Sequence, residues 1–477
     1  MEPVRALEIP RLSSAQRSRR PVMMTGTEPA KPPLVAAVPP LVAAGSPSPS
    51  GASVSTSIIN LSKNIVGSGV LALAAGVAAF SSAPIAVVPA LALLLFFGAV
   101  SGYTFSLIAR VGDEVGADTY RDTWAKIFGE RLALIPALTV AFKTYVGGLG
   151  YSIILGDSFA SIATLAGAPS VLCRSNVWIM LLSAFVLLPL SLLRDLSSLA
   201  IGSVIGTAGT LYTALFIMFR LFDRSYAVGG QFSAMIGETA RPLFAAPSAA
   251  RPLLNPSVFV LISMLATAFL AHYNAPKYFN ELATPTDGTT KQAAFNKVCA
   301  GAFGLAAVLC GTIMAGGYLT FGGAAKGLIL NSYATSDPLA FCARLGICAS
   351  VIFSYPLNFV GLREGVLGIV GLKQHAAKTS VHVGSSLILL CAMNGLALKL
   401  KDLGLVVAFG GALLGSSLVY IFPALMFIAA TRQQMAKGKP ISRARRYEMF
   451  ANYGLVALGA ALAGVGGYMS LKNAGAH

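Results

Sequence analysis

The feature that most constrains this chain is a succession of about eleven long apolar stretches, which begins near Ser57 and continues almost to the C-terminus. A helix needs about 20 apolar residues to cross a bilayer. Backbone polar groups find no water in lipid, so segments of this length can satisfy them only as helices. The pattern therefore predicts an all-α polytopic membrane protein. The predicted spans are 57–80, 84–110, 132–164, 176–193, 197–222, 256–279, 293–321, 339–368, 380–399, 402–430 and 447–471.

Charged residues are scarce, at 11 % of the chain against 55 % hydrophobic residues. Soluble chains average about a quarter charged residues, so lipid is the expected solvent. A formal charge of +17 could indicate nucleic acid. The positive residues lie between the apolar runs, however, as they do in membrane proteins, and no nucleic-acid partner is expected. Placing the N-terminus in the cytoplasm puts roughly twice as many lysines and arginines on the cytoplasmic side, which favours that orientation.

Residues 1–52 are rich in Pro, Ser, Ala and Arg, and we predict that they form a disordered, basic, cytoplasmic tail. The six cysteines form no CxxC pair, and the four histidines show no metal-ligand spacing. The sequence contains no pattern typical of a catalytic triad or a phosphate loop. We therefore expect no enzyme activity, no metal centre and no cofactor.

The spans divide into two sets of similar extent. The first five helices cover 57–222, the next five cover 256–430, and an extra helix covers 447–471. An odd number of helices in each set inverts the second set relative to the first. This layout is typical of inverted-repeat transporters, whose binding site lies where the first helix of each repeat breaks.

The first span carries two glycines near its middle, in the segment Asn60–Leu71. Glycine allows a helix to unwind and its backbone to approach a ligand. Unwound N–H groups can bind a carboxylate, and free carbonyls can bind a cation. Close packing of helices through glycine is the alternative interpretation. In the same span, Lys63 places a charge at membrane depth, which favours a role in a cavity, although its side chain could instead reach the cytoplasmic surface.

The sixth span predicts a second break. Pro276 removes a backbone donor and disfavours helix at the residue before it. His272 and Asn274 precede this break, and a histidine could relay protons or simply make a hydrogen bond between helices. In the third span, Lys143 and Asp157 lie about 20 Å apart by helical rise and are not expected to pair with each other.

Four segments resemble the amino acid/auxin permease family, whose members transport neutral amino acids. The resemblance covers about residues 55–472, which we expect to form one transporter domain. The segments are NLSKNIVGSGVLAL (Asn60–Leu73), LLRDLSSLAIGSVIG (Leu192–Gly206), AFLAHYNAPKYFNELATP (Ala268–Pro285), and the pair GGYLTFGGAAKGLILNSY (Gly316–Tyr333) and ARLGICASVIFSYPLNFVGLREGV (Ala343–Val366).

The resemblance implies a LeuT-type fold of two inverted five-helix repeats and a substrate site near its centre. It implies that the backbone of Gly67, Ser68 and Gly69 binds the substrate carboxylate, together with the Tyr151 hydroxyl. It also implies that three residues of the sixth helix line the side-chain pocket: Phe269, His272 and Tyr273.

The resemblance also directs attention to ion coupling. Sodium-coupled relatives carry an amide side chain four residues before the first glycine of the GSG segment and a hydroxyl in the eighth helix. Here these positions hold Lys63 and Ser354. Two unit charges 4 Å apart repel by about 4 kcal/mol at an effective dielectric constant of 20, so an ammonium would exclude sodium. We predict coupling to protons, or transport without sodium, with Lys63, Asn64, Ser354 and His272 as the coupling residues.

We therefore predict a secondary active transporter of small neutral amino acids that works by alternating access. Its location would be the plasma membrane or a vacuolar or lysosomal type of membrane. Two alternatives remain open at this point. A sodium-coupled symporter would require sodium for uptake, and an amino acid sensor would bind its ligand without flux.

Overall fold

The computed structural model describes residues 51–194, 200–245, 255–286 and 288–474. Most of the predicted N-terminal tail, 1–50, lies outside these residues. Within them the regular structure is helical, and β-pairing is limited to two isolated bridges, Ala52 with Leu282 and Leu243 with Gly322.

Eleven apolar helices follow one another along the described chain. In chain order they are α1 (Val54–Ile65 and Ser68–Phe80), α2 (Pro84–Val115), α3 (Glu130–Leu165), α4 (Ser175–Ser191), α5 (Ala200–Phe222), α6 (Val258–Glu281), α7 (Lys291–Phe321), α8 (Pro338–Ile369), α9 (Thr379–Ala397), α10 (Leu403–Ala436) and α11 (Arg443–Asn473). A short helix, Tyr120–Phe128, connects α2 to α3.

The helices agree with the predicted spans. Among the described residues, nine are long and apolar enough to cross a membrane, and the two parts of α1 make a tenth span with a bend of 51°. The remaining helix, α4, is shorter and contains a π-helical turn at Ser183–Leu187. The prediction of an all-α membrane protein with about eleven helices is therefore confirmed.

Several helices begin at a side chain that caps free backbone N–H groups. The oxygen of Ser53 accepts from Thr56 N at 3.2 Å at the start of α1. Thr290 accepts from Ala293 N at the start of α7, and Ser442 accepts from Arg445 N at the start of α11. Such caps typically contribute about 1 kcal/mol each. They define the helix starts at the ends of the bundle.

Helices α5 and α8 touch backbone to backbone. A Cβ atom placed on Gly209 would lie 2.5 Å from the carbonyl oxygen of Gly346. Small residues allow membrane helices to approach this closely and to gain dispersion contacts that replace the missing hydrophobic force. The pair therefore forms a tightly packed wall at the side of the bundle.

A buried ion network joins the end of α5 to the start of α8. The Asp337 carboxylate is fully buried and accepts from Arg220 Nη2 at 2.6 Å and Nε at 2.9 Å. It also accepts from the Tyr226 hydroxyl at 2.8 Å and from the backbone N of Leu339 at 2.9 Å, where it caps α8. Every lone-pair direction of this carboxylate thus meets a donor.

Asp223 completes the network at its edge. Its carboxylate accepts from Arg220 Nη1 at 2.6 Å and from Ser225 N at 2.9 Å. Burial alone raises the pKa of Asp223, but the hydrogen bonds from Ser225 and Arg220 bring it below its ordinary value. The carboxyl is therefore held in its charged form beside the guanidinium.

The last helix is fastened to α2 by two ion pairs. Arg445 Nη1 lies 2.6 Å from Glu114 Oε1. Arg110 Nη2 lies 2.5 Å from Glu448 Oε1. Both guanidinium groups also lie over the ring of Phe427, at 5.0 Å from its centroid. These contacts hold α11, α2 and α10 together at one end of the bundle.

Candidate functional site

The first helix breaks in the middle. Its first part ends at Ile65, Val66 has ψ 85°, and a 3-10 turn begins at Ser68. Gly67 precedes that turn and, because it has no side chain, provides no capping hydrogen bond. The first N–H groups of a helix have no partner within it. A virtual Cβ on Gly67 would have no neighbouring atom within 4 Å, so this backbone faces open space.

The sixth helix breaks at the same level. Its first part, Val258–Ala268, is separated by three residues from a 3-10 turn at His272–Asn274, and a second helical part follows at Ala275–Glu281. Pro276 lies in the first turn of this last part, where a missing N–H is tolerated. The predicted break before Pro276 is therefore present, and it begins earlier than the proline itself.

A cavity of about 520 Å³ lies where the two breaks meet. This volume is in the usual range for sites that bind small molecules. The walls come from α1, α3, α5, α6, α7 and α8. The polar and glycine residues that line it include Ser62, Lys63, Asn64, Gly67, Ser68, Gly69, Lys143, Thr144, Gly147, Tyr151, Thr207, Thr210, Thr267, Tyr273, Asn274, Thr312, Ser350, Ser354 and Asn358.

The lining is positively charged. Lys63 and Lys143 both contribute to it, and its described residues include no aspartate or glutamate. Lys63 lies in the last turn of the first part of α1 and makes no hydrogen bond or ion pair with the described residues. The structure thus places Lys63 beside the break, where the sequence predicted a cavity-facing charge.

Ser354 and Asn64 also line this cavity. The Ser354 hydroxyl donates to the Ser350 carbonyl at 2.7 Å, which satisfies a group of its own helix. The oxygen atoms of Ser354 and the charge of Lys63 therefore line one space. The predicted coupling residues Lys63, Asn64 and Ser354 are brought together by the fold.

Lys143 contacts Tyr273 across the cavity. Its Nζ donates to the Tyr273 hydroxyl at 3.2 Å and lies 5.0 Å from the centroid of the ring. Asp157, the other charge of α3, accepts instead from Asn331 Nδ2 at 2.8 Å. The prediction that Lys143 and Asp157 do not pair agrees with these contacts. The partner of Lys143 was not found from the sequence.

Tyr151 lines the cavity from α3, eight residues beyond Lys143. Its ring packs near Tyr355, with centroids 6.4 Å apart. Of the seven predicted substrate-binding residues, the structure brings five to the cavity: Gly67, Ser68, Gly69, Tyr151 and Tyr273.

Phe269 and His272 do not line the cavity, which corrects the sequence-based expectation. Both are fully buried on the other side of α6. His272 Nε2 lies 2.9 Å from Thr104 Oγ1 and 3.1 Å from the Ser101 carbonyl oxygen, both on α2. A Cβ atom on Gly98 of α2 would lie 3.1 Å from the Phe269 ring. These two side chains pack α6 against α2.

The break in α6 explains this difference. In a continuous helix, residues 269, 272 and 273 would share one face, because positions three and four apart are neighbours. The helix ends at Ala268 and resumes only as a 3-10 turn at His272, so the face rotates between them. Tyr273 therefore faces the cavity while Phe269 and His272 face α2.

Two further polar residues shape the cavity wall, and sequence reasoning missed the first of them. The Thr267 hydroxyl donates to the Val407 carbonyl at 2.8 Å and ties α6 to α10. Asn358 Nδ2 donates to the Thr144 carbonyl at 2.7 Å and ties α8 to α3. Asn358 stands two residues after Pro356, and an amide beside a proline in a membrane helix is a sequence signal that can indicate a site.

Two interrupted helices that meet at a central, membrane-depth cavity define a transporter of the LeuT type. A solved structure supports this fold: MHP1, a nucleobase-cation-symport-1 family transporter, in a closed conformation with bromovinylhydantoin bound. It matches with a TM-score of 0.52 and 15 % identity over 89 % of this chain and 93 % of that chain. The predicted fold is thereby confirmed.

The family follows from the sequence comparison. The chain belongs to the family described as "Transmembrane amino acid transporter protein", whose profile matches residues 50–472. It is 23 % identical to "Putative sodium-coupled neutral amino acid transporter 11" of Danio rerio over 76 % of each chain. It is 26 % identical to "Vacuolar amino acid transporter 5" of Schizosaccharomyces pombe, over 62 % of this chain and 66 % of that protein. The predicted family is confirmed.

Proposed function

We propose that this protein is a secondary active transporter that carries small neutral amino acids across a membrane by alternating access. The observation that carries the proposal is the cavity at the junction of the two broken helices. There the backbone of Gly67 borders open space, in a cavity large enough for a small solute. The name of the Danio rerio relative specifies neutral amino acids, and that of the Schizosaccharomyces pombe relative specifies amino acids without a class.

In this proposal the substrate carboxylate binds at the break in α1. The N–H groups of Ser68 and Gly69 begin a helical turn, and such a terminus favours negative charge. The Tyr151 hydroxyl provides a further donor from α3. Thr267 and Tyr273 form the opposite wall, where the substrate side chain would lie.

Lys63 is proposed to replace a sodium ion. Its ammonium lies in the same cavity as Ser354 and has no acidic partner among the described residues. A second cation within about 4 Å would meet a repulsion of about 4 kcal/mol at an effective dielectric constant of 20. The proposal is therefore uptake that is driven by protons or proceeds without sodium.

The test is uptake into proteoliposomes under an imposed pH gradient, compared with an imposed sodium gradient. We expect the wild type to concentrate amino acids such as alanine under the pH gradient, or only to equilibrate them if transport is uncoupled, and in either case to gain nothing from sodium. Lys63→Asn introduces an amide at the same place and should weaken this sodium independence. Lys373→Asn, in an exposed loop, is the matched control and should behave as the wild type does.

Two outcomes contradict parts of the proposal. Concentrative uptake by the wild type that requires sodium would keep the transporter and overturn the role of Lys63, and the name of the Danio rerio relative makes this the specific competitor. Saturable binding without flux under either gradient would instead indicate a sensor.

We also propose that the N-terminus is cytoplasmic and that the protein resides in the plasma membrane or in a vacuolar or lysosomal type of membrane. The support is the distribution of lysine and arginine, which includes the exposed residues Arg432 at the end of α10 and Lys437 and Lys439 between α10 and α11. Protease protection of an N-terminal epitope tag in sealed vesicles of known orientation tests the topology. Protection on the lumenal side would contradict it.

A further inference from the structure

Lys143 is a charge held well inside the bundle. It lies 13 positions after Glu130, the first residue of the span Glu130–Leu165, which corresponds to about 20 Å of helical rise. It lines the central cavity and is half-buried. A lysine at such depth is costly and normally has an anionic or polar partner.

The one described partner of Lys143 is a neutral side chain. Tyr273 accepts one hydrogen bond at 3.2 Å, and its ring lies 5.0 Å from the ammonium, a favourable cation–π distance. An ammonium has three N–H donors. No other acceptor among the described residues takes either of the remaining two. They are left for something inside the cavity.

The rest of the cavity leaves this charge uncompensated. Its described lining contains a second ammonium, on Lys63, and no carboxylate. Buried arginines elsewhere have acceptors within the protein: Arg220 binds the Asp337 carboxylate, Arg344 binds the Leu330 and Tyr333 carbonyls, and Arg363 binds the Ser191 carbonyl. Lys143 instead keeps free donors beside a second ammonium, so an anionic group of the ligand is expected to bind there.

The chemistry of the proposed substrate indicates which anionic group could bind Lys143. The α-carboxylate of an amino acid is assigned to the broken backbone of α1, and an α-ammonium cancels its charge. A second carboxylate, on the substrate side chain, would supply both the acceptors and the charge that Lys143 lacks. We infer that the cavity also accepts amino acids with a side-chain carboxylate, that Lys143 binds this group, and that Tyr273 positions Lys143. The inference rests on the proposed function.

The same arrangement selects against cationic amino acids. A side-chain ammonium or guanidinium would enter a space that already holds two positive charges and no described carboxylate. Lys143 is thus a specificity-determining residue, which distinguishes substrates by the sign of their side-chain charge.

The test uses substrate pairs that differ in charge and hardly in shape: glutamate with glutamine, and aspartate with asparagine. Initial rates into proteoliposomes give kcat/KM for each, at one pH and without sodium. We expect the wild type to transport glutamate at least as efficiently as glutamine and to exclude lysine. Lys143→Met, which keeps the length and removes the charge, should lower the glutamate-to-glutamine ratio at least tenfold. Lys143→Arg should recover most of it.

The ratio separates charge recognition from structural damage. A Lys143→Met protein that is merely misfolded would lose both substrates in the same proportion, and that result would overturn the inference. So would a wild type that carries glutamine but excludes glutamate. Tyr273→Phe, which keeps the ring and removes the acceptor, should lower the ratio by a smaller factor than Lys143→Met.

A binding measurement distinguishes failure of this inference from failure of the proposed function. If no amino acid is transported, the proposed transport activity fails. Thermal shifts of the detergent-solubilised wild type with glutamate and with glutamine then test Lys143 alone. A larger shift with glutamate that disappears in Lys143→Met supports the inference, and equal shifts overturn it.

Discussion

The two charged regions of this molecule are built in opposite ways. At the junction of α5 and α8, the buried Asp337 carboxylate accepts from Arg220 Nε and Nη2, from Tyr226 and from the backbone of its own helix. In the central cavity, Lys63 has no partner among the described residues and Lys143 has only the neutral Tyr273. One region is saturated, and the other is left with free donors.

The difference distinguishes buried charges that stabilise the fold from those that bind a ligand. A charge that serves packing must be matched within the protein, because an unmatched buried ion costs several kcal/mol. A charge that serves a ligand must keep unused capacity, because the ligand supplies the match. Substitutions in each region test this difference.

The largest effect is expected for Asp337→Ala. The change leaves Arg220 buried without its main anion and removes the cap of α8, so the free energy of unfolding should fall by about 3–5 kcal/mol. Denaturant unfolding in detergent micelles, followed by intrinsic fluorescence, measures it. Glu238→Ala is the control, because its ion pair with Arg241 is long, at 3.9 Å, and highly exposed. Equal losses in the two variants would show that the network is not saturated in solution.

A smaller loss is expected for Gly209→Ala. The new methyl group would meet the Gly346 carbonyl oxygen at 2.5 Å, and overpacking of this kind costs about 1–3 kcal/mol. Gly67→Ala provides the contrast, because its methyl group would enter open cavity space. Its unfolding free energy should change by less than about 0.5 kcal/mol, while amino acid uptake falls. If Gly67→Ala proved as destabilising as Gly209→Ala, the cavity would not be open there.

Tyr226→Phe should have an intermediate effect of about 1–2 kcal/mol. The substitution keeps the ring but removes the donor to Asp337 at 2.8 Å and the acceptor for Ala334 N at 3.1 Å, and buried groups left unpaired are penalised. The same unfolding measurement reports it. A double-mutant cycle with Asp337→Ala should show coupling, and simple additivity would argue against one shared network.

The smallest change in stability is expected for Lys63→Met. This substitution removes a charge that no described anion compensates, so the free energy of unfolding should change by no more than about 0.5 kcal/mol or rise slightly. The measurement is again denaturant unfolding in micelles. A loss comparable to that of Asp337→Ala would reveal a hidden partner and remove the contrast between the regions.

The sequence predicted the first helix of the site better than the sixth. In α1, the glycines and the polar residues lie close together along the chain, so one local pattern locates the break, Lys63 and Asn64 at once. In α6, the break itself changes which residues share a face. A helical pattern cannot anticipate that rotation, and Phe269 and His272 were therefore assigned to the wrong side.

Contacts between distant segments could not be predicted from the sequence. Lys143 and Tyr273 are separated by 130 positions, and Arg220 and Asp337 by 117. Asp337 stands directly before Pro338, which is a typical helix start, but this local signal gives no sign of its partner. The sequence shows which residues are charged, whereas their pairing depends on how the helices pack.

The close contact between Gly209 and Gly346 bears on which parts of the bundle can shift during a transport cycle. Interdigitated side chains can shift past one another by changing rotamers, but two backbones in direct contact cannot adjust in this way. We expect α5 and α8 to move together as one rigid body. Access to the cavity would then change through the interrupted α1 and α6, whose breaks already supply hinges.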